Sequence, residues 1–243
     1  MSLETINFNH IPLQPGDRLL DVGCGEGRHT ISAYLLAEIH AVGLDLNATD
    51  IATARSRLAD FPLDQENEAD QSKRSCTFVH GSGHSLPFPD NSFDKVVCAE
   101  VLEHIPEYTS FLREIRRVLK PGGLLAVSVP RYFPEWVCWQ LSDAYHEVEG
   151  GHVRIFRASE LKVAVENQRM RRYKRHWAHS LHVPYWWLRC LLWSRGENAR
   201  PVAAYHRLLV WDLMQRPPLT RFLDKVLNPI MGKSVVMYFV NEL

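Results

Sequence analysis

Two aspartates and a run of glycines near the start of the chain could together bind a charged nucleoside. The stretch Asp21-Val-Gly23-Cys-Gly25-Glu-Gly27 lies where a short apolar run gives way to a helical pattern. Glycines at such a turn let a ligand approach the backbone closely, and the first turn of a helix supplies unpaired N–H groups. Asp45 follows twenty residues after Gly25, where a carboxylate can accept hydrogen bonds from both hydroxyls of a ribose.

The spacing of this loop does not fit a pyrophosphate. The dinucleotide fingerprint G-x-G-x-x-G requires a glycine at position 28, where the chain has Arg28. Asp21 would repel a phosphate, whereas it suits an ammonium or a sulfonium group. S-adenosylmethionine carries both cations and a ribose, so Asp21 and Asp45 favour this ligand over NAD. A tight strand–helix turn that binds nothing is the alternative.

Apolar runs and helical periodicities alternate through the first half of the chain and predict the elements that position these residues. The apolar runs predict five strands, over 18–23, 40–46, 76–80, 93–99 and 124–129. The periodicities predict helices over 26–39, from the N-cap Asn47 to Phe61, and from Pro106 to Leu119. Strands that alternate with helices of this length predict a parallel sheet with right-handed crossovers.

The remaining segments are less regular. The polar stretch 62–75 predicts an exposed loop, and helices are predicted over 134–148 and over 159–167, the latter with Ser159 as its N-cap. Strands are predicted over 171–177 and 234–240, with mostly helical residues between them. We therefore expect one domain, made of an N-terminal arm (1–17), a cofactor-binding core (18–130), a lid region (131–170), and the last strands with a helical cap (171–243).

Four blocks of sequence resemble the class I S-adenosylmethionine-dependent methyltransferases, and within them the type-11 domain that includes ubiquinone- and menaquinone-biosynthesis-like enzymes. The blocks are LLDVGCGEGRHT (19–30), VGLDLN (42–47), LPFPDNSFDKVVCAEVLEHI (86–105) and LREIRRVLKPGGLLAVSVP (112–130). The resemblance implies an α/β fold with a Rossmann-like, doubly wound sheet of seven strands. Their implied order is 3-2-1-4-5-7-6, with the last strand antiparallel.

The same resemblance implies a set of cofactor contacts. Asp21 would contact the methionine amino group of S-adenosylmethionine, and Asp45 would hold its ribose. The remaining contacts would come from Gly23, Cys24 and Gly25 along the methionine part, Leu46, Gly83 and His84 around the adenine, and Cys98, Ala99 and Glu100 beside the methionine end. The family commonly has Gly-Asp-Ala after strand three, whereas this chain has Ser82 in place of the aspartate. This departure implies a weaker or backbone-mediated contact with the adenine amino group.

Three histidines are candidates for the base that takes a proton from a hydroxyl or activated carbon acceptor. His104 follows strand four at the carboxyl edge of the sheet, where ligands bind in such folds. His146 and His152 lie after strand five, where two adjacent glycines favour a mobile lid. The alternatives are a structural hydrogen bond at His104 and a simple turn at the glycines.

The pattern His176-x-x-His179-x-x-His182 could be interpreted as a set of metal ligands. On one helix the third histidine drifts off the face of the first two, and no Cys or Asp completes the set. We therefore expect no metal, and the cluster is interpreted as part of a substrate pocket or of a packed aromatic element.

A formal charge of zero conceals two oppositely charged parts. Residues 1–170 hold 16 Lys and Arg against 24 Asp and Glu, residues 171–243 hold 12 against 4, and all seven Trp lie after residue 135. The basic, aromatic segments 171–175 and 185–189 can be interpreted in three ways. The first interpretation is an ordinary lid, the second is a surface for lipid headgroups or a lipid-like acceptor, and the third is an RNA surface. The last is disfavoured because no RNA-binding module is recognisable.

The sequence thus predicts an S-adenosylmethionine-dependent methyltransferase that acts on O or C of a small or lipid-like acceptor and yields S-adenosylhomocysteine. An odd number of cysteines, no signal-peptide pattern and no bilayer-spanning run favour a cytoplasmic location. Contact of the cap with a membrane would place the protein at its inner face. The alternatives are a methyltransferase for RNA or another anionic acceptor, a non-catalytic S-adenosylmethionine-binding module, and an NAD-dependent oxidoreductase, which Arg28 disfavours.

Overall fold

A mixed sheet of seven strands is the frame of the molecule. The computed structural model describes residues 4–61, 73–148, 150–196 and 199–242, so most of the predicted loop 62–75 lies outside the described residues. The strands are β1 (Arg18–Val22), β2 (His40–Asp45), β3 (Ser75–His80), β4 (Phe93–Ala99), β5 (Leu119–Pro130), β6 (Met170–Ala178) and β7 (Ser234–Asn241). Their order is β3-β2-β1-β4-β5-β7-β6, and β7 runs antiparallel to both of its neighbours. The predicted order and the antiparallel last strand are confirmed.

Helices cover the sheet and fill the connections. They are α1 (Arg28–Leu36), α2 (Ala48–Ala59), α3 (Tyr108–Val118), α4 (Tyr132–Leu141), α5 (Ala144–Glu147), α6 (Ala158–Glu166), α7 (Val183–Leu191), α8 (Arg200–Gln215) and α9 (Pro218–Met231). Asn47 caps α2 as predicted, since its side chain accepts the backbone N–H of Thr49 at 2.9 Å. Within the described ranges, no helix is both long and apolar enough to cross a membrane.

Several helix boundaries differ from the predictions for local reasons. Helix α1 begins at Arg28 because Gly27 has a φ of +82°, a left-handed conformation that a helix cannot include. The predicted helix over 134–148 is split into α4 and α5, because Ser142 is extended. Ser159 is not the N-cap of α6. That position belongs to Arg157, whose backbone N–H is accepted by Glu160 Oε2 at 2.9 Å. Pro106 precedes α3 instead of starting it.

The two faces of the sheet are buried in separate apolar clusters. Neighbouring residues of β4 point to opposite faces, so that Val96 packs with the buried side of α3 and Val97 packs with Tyr34 of α1. The predicted apolar face of α3 is buried through Phe111, Leu112, Ile115 and Val118. Burying each such side chain contributes about 1.5–3 kcal/mol, so the strands whose carboxyl ends form one edge of the sheet are held firmly in place.

Candidate functional site

The loop between β1 and α1 has the open backbone that the glycine spacing predicts. Gly23 and Gly25 have φ values of +73° and +51°, which non-glycine residues rarely adopt. A Cβ on Gly23 would lie 2.4 Å from a methyl carbon of Val101, so this glycine is required by packing. A Cβ on Gly25 would meet nothing within 4 Å. The second glycine therefore borders open space at the carboxyl edge of the sheet.

Asp45 lies beside this loop. Its Oδ2 accepts the backbone N–H of Gly25 at 2.7 Å, and its Oδ1 accepts the N–H of Asn47 at 2.8 Å. The parallel pairing of β1 with β2 brings the two segments together, as the sequence pattern leads us to expect. The carboxylate is thereby held in one position at the end of β2.

Asp21 is buried with one oxygen in use and the other open. The side chain is 1% exposed, and its Oδ2 accepts the backbone N–H and the hydroxyl of Thr30 at 3.1 and 2.8 Å. Oδ1 has no hydrogen-bond partner among the residues that the structure describes. Burial raises the pKa of Asp21 to about 6, and the hydrogen bonds from Thr30 only partly oppose this rise. A cation placed at Oδ1 would satisfy the open oxygen.

A cavity of about 360 Å³ adjoins the loop, and we call it the glycine-loop crevice. Its walls include five of the predicted cofactor residues, Gly23, Cys24, Gly25, Ala99 and Glu100. Glu100 has a left-handed φ of +57° and its Oε1 accepts the hydroxyl of Ser128 at 2.7 Å. Cys98 is fully buried in the core and is not among the residues that line the crevice.

The predicted adenine contacts follow β2 and β3 at the same edge of the sheet. Leu46 is 72% exposed directly after β2. The hydroxyl of Ser82 accepts the N–H of His84 at 3.3 Å, and the His84 ring packs edge-on against Phe111. Gly83 is required there because a Cβ would lie 2.2 Å from the Phe111 ring. An exposed apolar side chain beside hydrogen-bonding groups is suited to a flat heteroaromatic ring.

A second cavity of about 440 Å³ lies next to the crevice, and we call it the histidine cavity. It lies between the carboxyl edge of the sheet and the helices α7 and α8. Its lining residues include Glu103, His104, His152, His182, Tyr185, Trp186, Leu209 and Lys233. Thr5, Arg28 and Glu100 line both cavities, so the two spaces share a wall. A ligand in one cavity would therefore lie close to a ligand in the other.

The structure brings together two of the three candidate histidines. The rings of His104 and His152 are 4.8 Å apart between centroids. Nδ1 of His152 contacts Glu135 Oε1 at 2.5 Å, and Nδ1 of His104 donates to the carbonyl of Gly151 at 3.3 Å. His146 is instead stacked on Trp139, with the rings 4.1 Å apart and nearly parallel. Its side chain is therefore part of the packing of α4 and α5.

Two buried carboxylates beside these histidines were not predicted as site residues. Burial and the nearby Glu100 hold the pKa of Glu103 well above its ordinary value. Burial opposes ionisation of Glu135 too, but the hydrogen bond from His152 lowers the pKa of Glu135 below its usual range. The spacing Glu100-x-x-Glu103-His104 could have indicated from the sequence that Glu103 lies in the site. No sequence pattern around Glu135, on α4, indicates the same for that residue.

Two of the three histidines of the 176–182 pattern share one site. His179 and His182 both line the histidine cavity, with 5.6 Å between their ring centroids, and Nε2 of His179 contacts the hydroxyl of Thr5 at 3.1 Å. His176 is instead stacked on Tyr238, with 5.6 Å between ring centroids. His176 lies on β6 and His182 in a short 3₁₀ turn over Ser180–His182, so the single-helix spacing considered from the sequence does not apply.

Comparisons with known proteins identify the domain. A family model described as a methyltransferase domain matches residues 20–127. A sterol 24-C-methyltransferase of Gibberella zeae is 35% identical over 135 residues, which are 56% of this chain and 32% of the relative. A demethylmenaquinone methyltransferase of Listeria monocytogenes is 36% identical over 138 residues, which are 55% of this chain and 53% of the relative. The chain thus spans between about a third and about half of these relatives.

Solved structures share the fold over nearly the whole chain. A SAM-dependent methyltransferase from Methanosarcina mazei superposes with a TM-score of 0.64 at 18% identity, covering 99% of this chain and 100% of that one. The [4+2]-cyclase SpnF superposes with a TM-score of 0.62 at 21% identity, covering 97% of this chain and 78% of that one. At sequence identities this low, the superpositions establish a shared fold and nothing about function. Together with the match over residues 20–127, they confirm the resemblance noted in the sequence: these residues match a methyltransferase domain, and the chain has the fold of the class I methyltransferases.

Proposed function

We propose that this protein transfers a methyl group from S-adenosylmethionine to an oxygen or carbon of a small or lipid-like acceptor. One observation carries the proposal. The glycine-loop crevice, which is lined by the loop that follows Asp21, shares the wall at Glu100 with the larger histidine cavity. A donor in the first and an acceptor in the second would be held in the proximity that an in-line displacement requires.

The residues around the glycine loop fit S-adenosylmethionine by their own chemistry. The open Oδ1 of Asp21 matches the ammonium group, and the carboxylate of Asp45 matches the two ribose hydroxyls. The space in front of Gly25 admits the ligand to the backbone. When bound, this cofactor supplies an electrophilic methyl carbon and a sulfide leaving group.

The histidine cavity fits a largely apolar acceptor that carries one reactive polar group. Its volume of about 440 Å³ lies within the range of small-molecule sites. Trp186, Tyr185 and Leu209 supply apolar surface on one side. On the other side, His104 and His152 are the candidates to take a proton from an acceptor hydroxyl, and Glu135 contacts Nδ1 of His152.

The cap offers a surface that supports a lipid-like acceptor. Helix α9 has no buried residue, and Leu219, Phe222, Val226 and Ile230 are 68%, 62%, 48% and 69% exposed. Their spacing places them along one side of the helix. Residues 200–231 hold five Lys or Arg against two Asp. We propose that this side of α9 contacts an anionic lipid surface at the inner face of a membrane, from which the acceptor enters the histidine cavity.

The names of two relatives agree with this class of acceptor, since one is a sterol and the other a demethylmenaquinone methyltransferase. The deciding experiment measures transfer of labelled methyl groups from S-adenosylmethionine to a panel of quinone precursors, sterols, phenols and RNA. Calorimetry with S-adenosylmethionine and with NAD accompanies it. We expect S-adenosylmethionine to bind tightly and NAD not to bind, and we expect the labelled methyl group to appear in an apolar acceptor. Binding of NAD alone would reject the function, and label in RNA alone would reject the acceptor class.

Vesicle sedimentation tests the proposed membrane contact. Phe222→Ser and Ile230→Ser remove exposed apolar side chains from α9, and we expect each to reduce binding to phosphatidylglycerol vesicles several-fold. Val163→Ser is the matched control, because Val163 is 53% exposed on α6, away from the cap. Equal binding by all three variants, or turnover of small polar acceptors alone, would contradict the proposed lipid surface.

A further inference from the structure

The wall of the histidine cavity contains a buried carboxylate whose two oxygens are both open. Glu103 is 1% exposed, and neither of its oxygens has a hydrogen-bond partner among the described residues. A buried carboxyl group without a hydrogen-bond partner is unfavourable whether it is protonated or ionised, so natural proteins seldom keep one without a use. The residue therefore indicates a ligand that the protein chain itself does not supply.

Two imidazoles next to Glu103 each have their Nδ1 atom engaged in a hydrogen bond. The Nδ1–H of His104 donates to the carbonyl of Gly151, and the Nδ1–H of His152 donates to the carboxylate of Glu135. An imidazole that donates through Nδ1 has its lone pair on Nε2. A carbonyl or carboxylate on the far nitrogen is the usual support of a histidine that binds a metal ion. Both rings thus have that arrangement independently of each other.

The three side chains are close enough to share one ion. One ligand atom from each of Glu103, His104 and His152 can be chosen so that all three lie within 4.8 Å of one another. Ligand atoms that bind one ion at about 2.1 Å lie no more than about 4.2 Å apart, so side-chain shifts of less than about 1 Å complete the set. One carboxylate and two imidazoles suit zinc, manganese or iron in the divalent state.

We propose that Glu103, His104 and His152 bind a divalent transition-metal ion that keeps an open coordination position toward the histidine cavity. The sequence predicted no metal, because it drew attention to His176, His179 and His182 instead. The proposal deepens the methyltransferase function and, for its catalytic part, rests on it. Under this assignment the two imidazoles serve as ligands and neither acts as the free base.

The ion would act on the acceptor. A hydroxyl at the open position becomes more acidic, so its O–H bond breaks and the proton passes to solvent through the cavity. The oxygen then forms the new bond to the methyl carbon, while the C–S bond breaks and its electron pair stays on sulfur in S-adenosylhomocysteine. No oxidant or reductant is needed, which fits a non-redox ion such as zinc.

The test uses the full-length protein, stripped with a chelator and titrated with cobalt(II) and with zinc. We expect one ion per chain by mass spectrometry, visible cobalt absorption bands of a low-coordinate site, and a higher Tm with zinc. Glu103→Gln keeps the shape and removes the ionisable carboxyl group that would bind the ion. This substitution should raise the Tm of the metal-free protein and weaken zinc binding by about 10- to 100-fold.

His206→Gln is the matched control, since His206 lines the same cavity but is exposed on α8 and outside the three-residue set. It should leave the cobalt spectrum unchanged. Glu135→Gln tests whether Glu135 positions the His152 ring. We expect this variant to bind zinc more weakly but still at one ion per chain. Equal zinc affinity in the wild type and Glu103→Gln, or loss of the cobalt spectrum in His206→Gln alone, would overturn the site.

Cofactor calorimetry on the same samples keeps the two proposals apart. If S-adenosylmethionine binds but neither zinc nor cobalt does, the metal site is wrong and the methyltransferase function stands. If the ion binds at the three residues and S-adenosylmethionine does not, the metal site stands and the proposed function is wrong.

Discussion

The carboxylate of Asp45 holds the backbone N–H of Gly25 at 2.7 Å and so ties the end of β2 to the glycine loop that follows β1. Its other oxygen accepts the N–H of Asn47, which is the cap of α2. One side chain therefore fixes the loop, the strand end and the helix start relative to one another. A ribose bound at Asp45 would meet a carboxylate that needs little reorganisation.

Replacing Asp45 with alanine removes both the proposed ribose contact and the tie to the loop. Hydrogen bonds to charged groups contribute about 1.5–3 kcal/mol, so we expect Asp45→Ala to weaken S-adenosylmethionine binding by about 10- to 100-fold. Calorimetry measures this, with Asp60→Ala as the control because Asp60 lies exposed at the other end of α2. Unchanged affinity in Asp45→Ala would remove this residue from the site.

Binding of S-adenosylmethionine should depend on pH through Asp21. The pKa of its carboxyl is raised to about 6 by burial, and only the ionised form attracts the ammonium group. We expect the affinity to rise between pH 5 and pH 7 and then to level off. Asp21→Asn should bind more weakly at pH 7, with no such rise. A pH profile that is the same for both proteins would contradict the proposed contact.

The same residue affects the stability of the cofactor-free protein. Because the folded pKa of Asp21 lies above the unfolded value of 3.8, the folded state holds the proton more tightly. The contribution of Asp21 to the free energy of unfolding is therefore lost as the pH rises from about 4 to about 6, by roughly 3 kcal/mol at most. Urea denaturation at pH 7.5 should find Asp21→Asn more stable than the wild type. A lower stability of the variant would show that another group satisfies the carboxylate.

Alanine at Gly25 should separate folding from cofactor binding. The added methyl group meets nothing within 4 Å, so the only cost to folding is the left-handed backbone, on the order of 1–3 kcal/mol. Gly122→Ala is the control, since Gly122 has a φ of +74° and equally open surroundings in β5, far from the crevice. We expect similar losses in Tm from both variants and loss of S-adenosylmethionine binding in Gly25→Ala alone. Full binding by Gly25→Ala would place the ligand elsewhere.

Acid should destabilise the protein through His29. This ring is buried, and its Nε2 accepts the backbone N–H groups of Thr5 and Ile6 at 3.3 and 3.4 Å. Burial, with a smaller effect of Arg28, lowers the pKa of His29 to about 3. The unfolded chain takes up a proton near pH 6.5 and the folded one does not, so the free energy of unfolding falls as the pH drops below 6.5.

His29→Gln tests this dependence, because a glutamine carbonyl can accept the same N–H groups without titrating. Denaturation at pH 7 and pH 5 should show a smaller loss of stability in the variant than in the wild type. An equal loss in both would assign the acid sensitivity to other groups.

The sequence predicted the sheet and the crevice well because both depend on short-range patterns. The strands β1 to β4 coincide with short apolar runs, and parallel strands bring their carboxyl ends to one edge, so Asp45 had to lie near the glycine loop. The catalytic side was predicted less well. His152 lies in the loop after α5 and contacts Glu135 of α4, a pairing that no periodicity indicates. His146 is stacked on Trp139 because α5 turns its ring back onto α4. Glu103 was missed because a glutamate is ordinarily a surface residue.

The antiparallel course of β7 has a consequence for how such a protein diversifies. Ala178 at the end of β6 pairs with Ser234 at the start of β7, so the chain leaves the sheet and returns to it at the ligand-binding edge. Everything between these residues, including α7, α8 and α9, is one long insertion in a strand connection. The family match ends at residue 127, before this insertion. Under the proposed function, changes within this insertion would alter the acceptor side of the protein and leave the residues around the glycine loop in place.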